Sequence, residues 1–324
     1  MRDIACDKDS AWQVFLIFLR LGCTSFGGPI AHLGYFRQAF VARRHWLDEP
    51  AYAELVALCQ LLPGPTSSQV GMALGLGRAG GWGLLAAWLG FTLPSALLLI
   101  LFALGLARYP ELADSAAVHG LKVFAVAVVA QAVWSMGRTL CPDARRRVVA
   151  LIVAGLTLWL PGSTGQLLGL GLAALVGHLA LAPAATPPAL SLQSGLSRRL
   201  GVVALLLFLL PLLLLPAWVS LGEGVYRAGA LVFGGGHVML PLLQAVVVPT
   251  GLVSDGQVLA GYGLAQAVPG PLFTFAAYLG ALVPSALPAW LNGLLWTLLI
   301  FLPGALVLLA ALPFWQSLRQ HPGW

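Results

Sequence analysis

Long apolar runs, broken at a few places by Gly and Pro, dominate the chain. From Ala79 to Ala107 there is no Asp, Glu, Lys or Arg. A second uncharged stretch lies between Lys122 and Arg138. A third runs from Val148 to Pro183, split by the turn signal Pro161-Gly162-Ser163, and a fourth lies between Arg199 and Glu223. Between Asp255 and Arg319 no charged residue occurs at all. A membrane-spanning helix needs about 20 apolar residues, so these runs are the expected spans and the last has room for at least two. The pattern predicts an all-α integral membrane protein.

Two motifs occur twice in the same order. Phe26-Gly27-Gly28-Pro29 matches Phe233-Gly234-Gly235-Gly236, and Gln60-Leu61-Leu62-Pro63-Gly64-Pro65 matches Gln266-Ala267-Val268-Pro269-Gly270-Pro271. The interval between them differs by one residue between the two occurrences. Further on, Phe91-Thr92-Leu93-Pro94 loosely echoes Phe301-Leu302-Pro303. The chain therefore reads as two pseudo-symmetric repeats, 11–181 and 199–315, joined by a Pro- and Ser-containing linker at 182–198. Proline lacks an N–H and glycine carries extra backbone entropy, so both break apolar helices. In lipid the freed backbone groups must be met by protein or by a water-filled cavity. Matched breaks in two halves point to a transporter binding site. Simple kinks for helix packing are the plainer explanation, but tandem, matched breaks flanked by polar residues argue against it.

Composition sharpens this picture. Of 324 residues 59% are hydrophobic and only 9% charged, with a mean hydropathy of +0.90. A soluble domain carries about 25% charged residues. The net charge of +6 sits in short basic clusters between apolar runs, which suits topology signals rather than nucleic acid. Cys6, Cys23, Cys59 and Cys141 are scattered, with no CxxC and no zinc spacing. The acidic N-terminus is unlike the start of a signal peptide.

The positive-inside rule places Arg37, Arg43, Arg44, Arg78, Arg138, Arg145 to Arg147, Arg198 and Arg199 on the cytoplasmic side. Arg44 and Arg78 share a side only if Ala51 to Gly77 is a hairpin turning at Pro63-Gly64-Pro65. Gly81 to Ala107 then goes out and Val118 to Gly137 returns. Val148 to Leu160 and Thr164 to Leu181 form an out-and-back pair, and Leu200 to Pro216 crosses outward. The second pair of broken segments then enters from the opposite side, an inverted repeat with re-entrant helices, and Arg227 is the single exception to the charge bias.

Polar groups gather at the breaks. Thr24, Ser25 and His32 flank Gly27 and Gly28, and Thr66, Ser67, Ser68 and Gln69 follow Gly64. The second occurrence offers Gly235, Gly236 and His237, then Gln266, Gly270 and Thr274. A helix restarting after Gly-Pro has free N–H donors and a positive dipole end, a natural oxoanion cradle. The hydroxyls of Thr66, Ser67 and Ser68 also suit capping of those donors, which is compatible with anion binding. A lone membrane histidine such as His32 or His237 is commonly a packing residue, though it also titrates. Arg20 and Glu54 are the ionisable residues most embedded in apolar sequence. Glu54 is the candidate for proton coupling, and a structural Arg20–Glu54 pair accounts for both equally well. Arg37 suits an interfacial position that draws anions inward, and Glu223 falls near a helix end where water reaches it. No P-loop, nucleophile motif, metal site or cofactor motif is present in the sequence.

These motifs resemble the chromate ion transporter family. The resemblance rests on Phe26-Gly27-Gly28-Pro29 with His32, on Trp46-Leu47-Asp48-Glu49, on Gln60 to Pro65, and on the repeated Phe233-Gly234-Gly235-Gly236 and Pro269-Gly270-Pro271. It covers nearly the whole chain, as a two-domain member. It implies secondary active export of chromate across the bacterial inner membrane, conferring chromate resistance, with sulfate as a structural analogue. The second repeat departs from the first: Gly236 replaces Pro29, and Leu272-Phe273-Thr274-Phe275 replaces Thr66-Ser67-Ser68-Gln69. The expected substrate site is therefore asymmetric, comprising Ser25, Gly27, Gly28, His32, Gln60, Gly64, Thr66, Ser67, Ser68, Gly235, Gly236, His237, Gln266, Gly270 and Thr274, with a larger polar share from the first repeat. The expected partners are an oxoanion and the lipid bilayer, with a homodimer as one compatible assembly. Within the transporter class the substrate could instead be sulfate or another oxoanion, and two other classes remain open. A membrane enzyme acting on a phosphate-bearing lipid would need a nucleophile and base, and a channel would need a continuous polar pore.

Overall fold

The computed structural model describes residues 9–109, 111, 115–160, 163–180, 196–214, 221–233 and 236–315. The expected linker at 182–198 and Cys6 therefore fall largely or wholly outside the described residues. The described elements are helical: α1 (Ala11–Thr24), α2 (Gly28–Phe36), α3 (Glu49–Leu61), α4 (Thr66–Arg108), α5 (Ala116–Leu140), α6 (Ala144–Trp159), α7 (Ser163–Ala180), α8 (Arg198–Leu214), α9 (Leu221–Leu231), α10 (Met239–Val247), α11 (Asp255–Ala267), α12 (Phe275–Leu282) and α13 (Ala289–Ala311). A π-helical segment, Arg37–Arg43, continues α2, and short 3-10 turns precede α10 and α12.

Three of these are long and apolar enough to cross a membrane: Thr66–Arg108, Ala116–Arg138 and Ala289–Ala311. Their outward faces carry lipid-compatible side chains such as Leu97, Leu101, Val126 and Leu298, all exposed. Several other helices are too short to span alone. Helix α3 has 13 residues, about 20 Å at 1.5 Å per residue, against a hydrocarbon core of about 30 Å. It pairs with the start of α4, and α11 likewise pairs with the turn and helix at 272–282.

Helix α4 is not one rod. Its backbone leaves helical geometry at Ala79 (φ −136°, ψ 25°) and Gly80 (φ 62°, ψ −150°). A Cβ on Gly75 would collide with the Gly83 carbonyl, and one on Gly83 with the Gly75 carbonyl. In a straight helix those residues would lie about 12 Å apart. The chain therefore folds back at Ala79-Gly80, and 66–78 runs antiparallel to the start of 81–108. The hairpin inferred for Ala51 to Gly77 and the separate span from Gly81 are both present.

Two apolar clusters share α4 and α13. One joins Val14 and Phe18 of α1, Phe36, Phe40, Leu55 and Leu58 to Leu84 and Phe91 of α4 and Leu308 of α13. The other joins Leu99 and Ile100 of α4 to Val225, Leu243, Tyr262, Phe275 and Tyr278, with Trp296 and Ile300 of α13. These two helices thus pin both sets of broken helices into one body. Close approach is made possible by small residues: a Cβ on Gly22 would lie 2.8 Å from the Phe91 carbonyl oxygen of α4, and a Cβ on Gly229 would collide with the Ile300 carbonyl of α13. At one end Arg78 pairs with Asp9 at 2.9 Å and lies 5.1 Å over the Trp46 ring.

Candidate functional site

The helix break at Phe26-Gly27 is real. α1 ends at Thr24 and α2 begins at Gly28, with Gly27 at φ 95° and Gly28 at φ 75°. At the second motif α9 ends at Leu231, and the next described element is a 3-10 turn at Gly236–Val238. Gly235 and the side chain of His237 lie outside the described residues, so two of the expected site members are not placed.

The Pro-Gly-Pro loops reach across to these breaks. Gly64 N–H donates to the carbonyl of Val232, the residue before Phe233, at 2.7 Å. Gly270 N–H donates to the carbonyl of Ser25, the residue before Phe26, at 2.9 Å. Gly64 and Gly270 sit at φ +119° and +109°, a region essentially confined to glycine. Each also packs where no side chain fits: a Cβ on Gly64 would lie 2.8 Å from Gly304 Cα, and one on Gly270 would lie 2.7 Å from Ser95 Oγ. Gly304 follows Pro303 of α13, and Ser95 follows Pro94 of α4.

Helix α4 starts at the first Pro-Gly-Pro loop. Pro65 holds the cap position, and no side chain bonds the first-turn amides. The first helical bond is Gln69 N–H to the Pro65 carbonyl at 2.9 Å, so the amides of Thr66, Ser67 and Ser68 have no partner within the helix. The capping role expected for their hydroxyls is not found. A capping hydroxyl must stand on the residue before the first turn, and that residue is proline here. The side chains of Thr66, Ser67, Ser68 and Gln69 are all buried.

The polar groups around this turn are only partly satisfied. Ser68 Oγ, Gln69 Oε1 and Ser25 Oγ are buried without hydrogen-bond partners, as are Thr92 Oγ1 and Trp88 Nε1 further along α4. Such groups normally find a partner in protein or ordered water. Gln69 Nε2 donates to the Pro63 carbonyl at 2.9 Å and the Gly304 carbonyl at 3.0 Å, tying the hairpin tip to α13. His32 is buried, with Nε2 3.2 Å from the Ser25 carbonyl oxygen and Nδ1 3.4 Å from Ser67 Oγ. Its ring packs edge-on to Phe91 at 5.3 Å. Ser25, His32, Ser67 and Gly270 thus form one connected, uncharged cluster, and Ser95 reaches it through Gly270.

The second Pro-Gly-Pro loop is drier. Leu272, Phe273 and Phe275 are buried there, and Thr274 Oγ1 is committed to the Pro271 carbonyl at 2.7 Å. Gln266 Nε2 donates to Tyr262 Oη at 3.0 Å, and Gln60 is exposed. The charged candidates lie apart from the cluster. Arg37 is exposed and pairs with Glu49 at 2.6 Å; the neighbouring carboxylate raises the guanidinium pKa further. Glu54 Oε1 accepts from Trp315 Nε1 at 2.8 Å, and Arg20 is exposed on α1. Glu223, expected to be solvated, is instead buried and pairs with Arg227 at 2.8 Å, one helical turn on. Ser95 was not expected here; its signal was a hydroxyl inside an uncharged apolar run, directly after Pro94.

Comparison with known proteins gives the family. A family model described as chromate transporter matches residues 12–180 and 219–324. The chain is 30% identical over 278 residues to the chromate transport protein of Pseudomonas aeruginosa, covering 83% of this chain and 65% of that protein. It is 28% identical over 317 residues to a probable chromate transport protein of Synechococcus elongatus, covering 96% and 78% of the two chains. An uncharacterised transporter of Methanocaldococcus jannaschii is 26% identical over 327 residues, covering 97% and 79%. The chain spans less than two thirds of the Pseudomonas protein's length, and no solved structure matches it. These relatives are named as transport proteins, not enzymes. With three apolar helices of spanning length and a family match over both sets of broken helices, the chain is a multi-pass membrane protein that belongs to the chromate transporter family.

Proposed function

We propose that this chain is a secondary transporter that exports chromate, or a closely similar tetrahedral oxoanion, across the bacterial inner membrane, and so confers chromate resistance. The observation that carries the reading is the buried, uncapped start of α4. Three backbone donors there face no helical partner, beside Ser25 Oγ and Ser68 Oγ, which also have none. A tetrahedral dianion presents only acceptors, so it is complementary to this donor set and to the positive end of the helix dipole. No buried cation is needed, which keeps the empty site cheap to desolvate. The substrate class follows from relatives named as chromate transport proteins.

The site residues are those of the first repeat, chiefly Ser25, Gly64, Thr66, Ser67 and Ser68, with His32 behind them and Gly270 at the edge. Gly27, Gly28, Gly236, Gln60, Gln266 and Thr274 shape or border it. The dry second loop supports an asymmetric site. The reciprocal bonds of Gly64 to Val232 and Gly270 to Ser25 support two inverted repeats with re-entrant hairpins, each hairpin tip seated on the other repeat's break. The paired approaches of Gly22 to α4 and Gly229 to α13 support the same relation. On this reading 11–181 and 199–315 are the repeats, α1–α4 and α9–α13 are their related cores, and α5–α8 lie between.

The test is chromate uptake into everted membrane vesicles from cells producing the chain, beside a Gly28→Leu, Gly64→Leu variant and with sulfate as competitor. Energised chromate accumulation that the variant lacks is the expected result. No accumulation with folded protein in the membrane overturns the assignment.

A further inference from the structure

We propose that His32 is a proton-binding site whose occupancy decides whether Ser67 can hold the anion, so that one proton is bound with each oxoanion. The proposal rests on the oxoanion reading of the α4 turn and adds the second transported species.

The Ser25 carbonyl oxygen can only accept, so His32 Nε2, 3.2 Å away, carries hydrogen. In the neutral ring Nδ1 is then a bare acceptor. The group facing it is Ser67 Oγ at 3.4 Å, and the only hydrogen available for that contact is the serine's own. Neutral His32 therefore engages the single proton of Ser67, and the hydroxyl then presents lone pairs alone to its remaining surroundings. An acceptor in the first turn of α4 repels an oxoanion.

Protonation reverses this. A proton taken from water binds the Nδ1 lone pair, and the Ser67 O–H···Nδ1 contact is replaced by Nδ1–H···Oγ. The serine hydrogen is released to point at the anion, and one positive charge appears behind the cradle. No bond to carbon changes, and one proton enters per ring.

The surroundings favour a specific response. Burial and the Ser25 carbonyl act on the imidazole, and no charged side chain does. Among the titratable groups on the packed elements Cys59 of α3 is a buried free thiol, and the others named here are engaged elsewhere or face outward. Tyr52 of α3 donates to the Leu33 carbonyl at 2.6 Å, Glu54 of α3 accepts from Trp315, and Arg20, Cys23 and Tyr35 are exposed. Phe91 of α4 offers a ring edge or face only. An anion in the cradle is thus the charge positioned to stabilise the imidazolium. The Ser25 carbonyl also accepts from Gly270 N–H, so the same oxygen that holds the ring holds the second hairpin.

The test uses the purified full chain in lipid nanodiscs, with chromate and sulfate as probes. Sulfate keeps its charge through the neutral range, so its pH dependence belongs to the protein. Wild-type affinity is expected to tighten about tenfold per pH unit on acidification above the titration of the loaded site, with proton uptake seen by a pH dye. His32→Gln keeps a donor for Ser25 and an acceptor for Ser67, fixing the neutral pattern. It is expected to bind weakly, without pH dependence of sulfate binding and without proton uptake. Should that variant fail to fold, Ser67→Ala carries the test: its pH slope is expected to flatten. If sulfate is not bound, the comparison is made on chromate, whose own protonation is common to all variants. Equal slopes in wild type and His32→Gln overturn the proton site while leaving the anion site standing, and an unchanged slope in Ser67→Ala overturns the control of Ser67 by His32. No binding of either anion at any pH overturns both.

Discussion

Gly270 donates its amide hydrogen to the Ser25 carbonyl at 2.9 Å, joining the tip of one hairpin to the break in a distant helix. The partner arrangement, Gly64 to Val232, differs in what lies beneath the glycine: Gly64 rests on Gly304, whereas Gly270 rests on Ser95. Alanine at either position meets backbone strain of about 1–3 kcal/mol from the positive φ. The clash at Gly270 is with a side chain that can be removed. Ser95→Gly is therefore expected to recover part of the thermal stability and transport lost in Gly270→Ala. No comparable rescue exists for Gly64→Ala, because Gly304 has nothing left to trim. Melting curves in detergent and vesicle transport of the single and double variants check this.

The asymmetry of the two loops gives a second expectation. Thr66→Val with Ser67→Ala should reduce transport at least tenfold, since about 1.4 kcal/mol of lost anion stabilisation already does so. Thr274→Val should leave transport near wild type, because that hydroxyl is spent on Pro271. Normal transport by the double variant at normal membrane abundance would remove the anion cradle.

Gln69 holds the first hairpin tip by donating to two carbonyls. Gln69→Glu would turn a double donor toward two acceptors into a carboxylate facing them, in a fully buried position. It is expected to destabilise more than Gln69→Met, which merely leaves the carbonyls unmet. The order of the two melting temperatures decides the point.

Asn292 provides a control far from the cradle. Its Nδ2 donates to the carbonyls of Gly280 at 2.7 Å and Val283 at 3.2 Å, closing the end of α12 where carbonyls lack helical partners. Asn292→Ala is expected to destabilise by roughly 2–4 kcal/mol, from two buried acceptors left unsatisfied. Transport per folded molecule should survive, as read from activity normalised to the monodisperse fraction.

Much of this was legible in the residues. The breaks at Gly27, Gly64 and Gly270 follow from where Gly and Pro interrupt apolar sequence, and the fold-back before Gly81 from the basic residue Arg78 that must share a side with Arg44. The span Ala289–Ala311 was bounded by the same reasoning. What composition could not supply was partnership across the chain. Nothing in a run of leucines states that Gly64 will meet Val232 or that His32 will reach Ser67, because those contacts are set by how α4 and α13 pack. Capping failed for a local reason: the hydroxyls stand one position too late, inside the first turn rather than before it. Glu223 misled because its partner, Arg227, lies one turn along the same helix, where a buried pair looks like a solvated end.

The contact of Arg78 with both Asp9 and Trp46 has a practical reading for anyone mapping the protein in cells. A reporter enzyme fused before Asp9, inserted beside Trp46, or placed after Arg78 would sample one and the same compartment, although two apolar helical hairpins separate these positions along the chain.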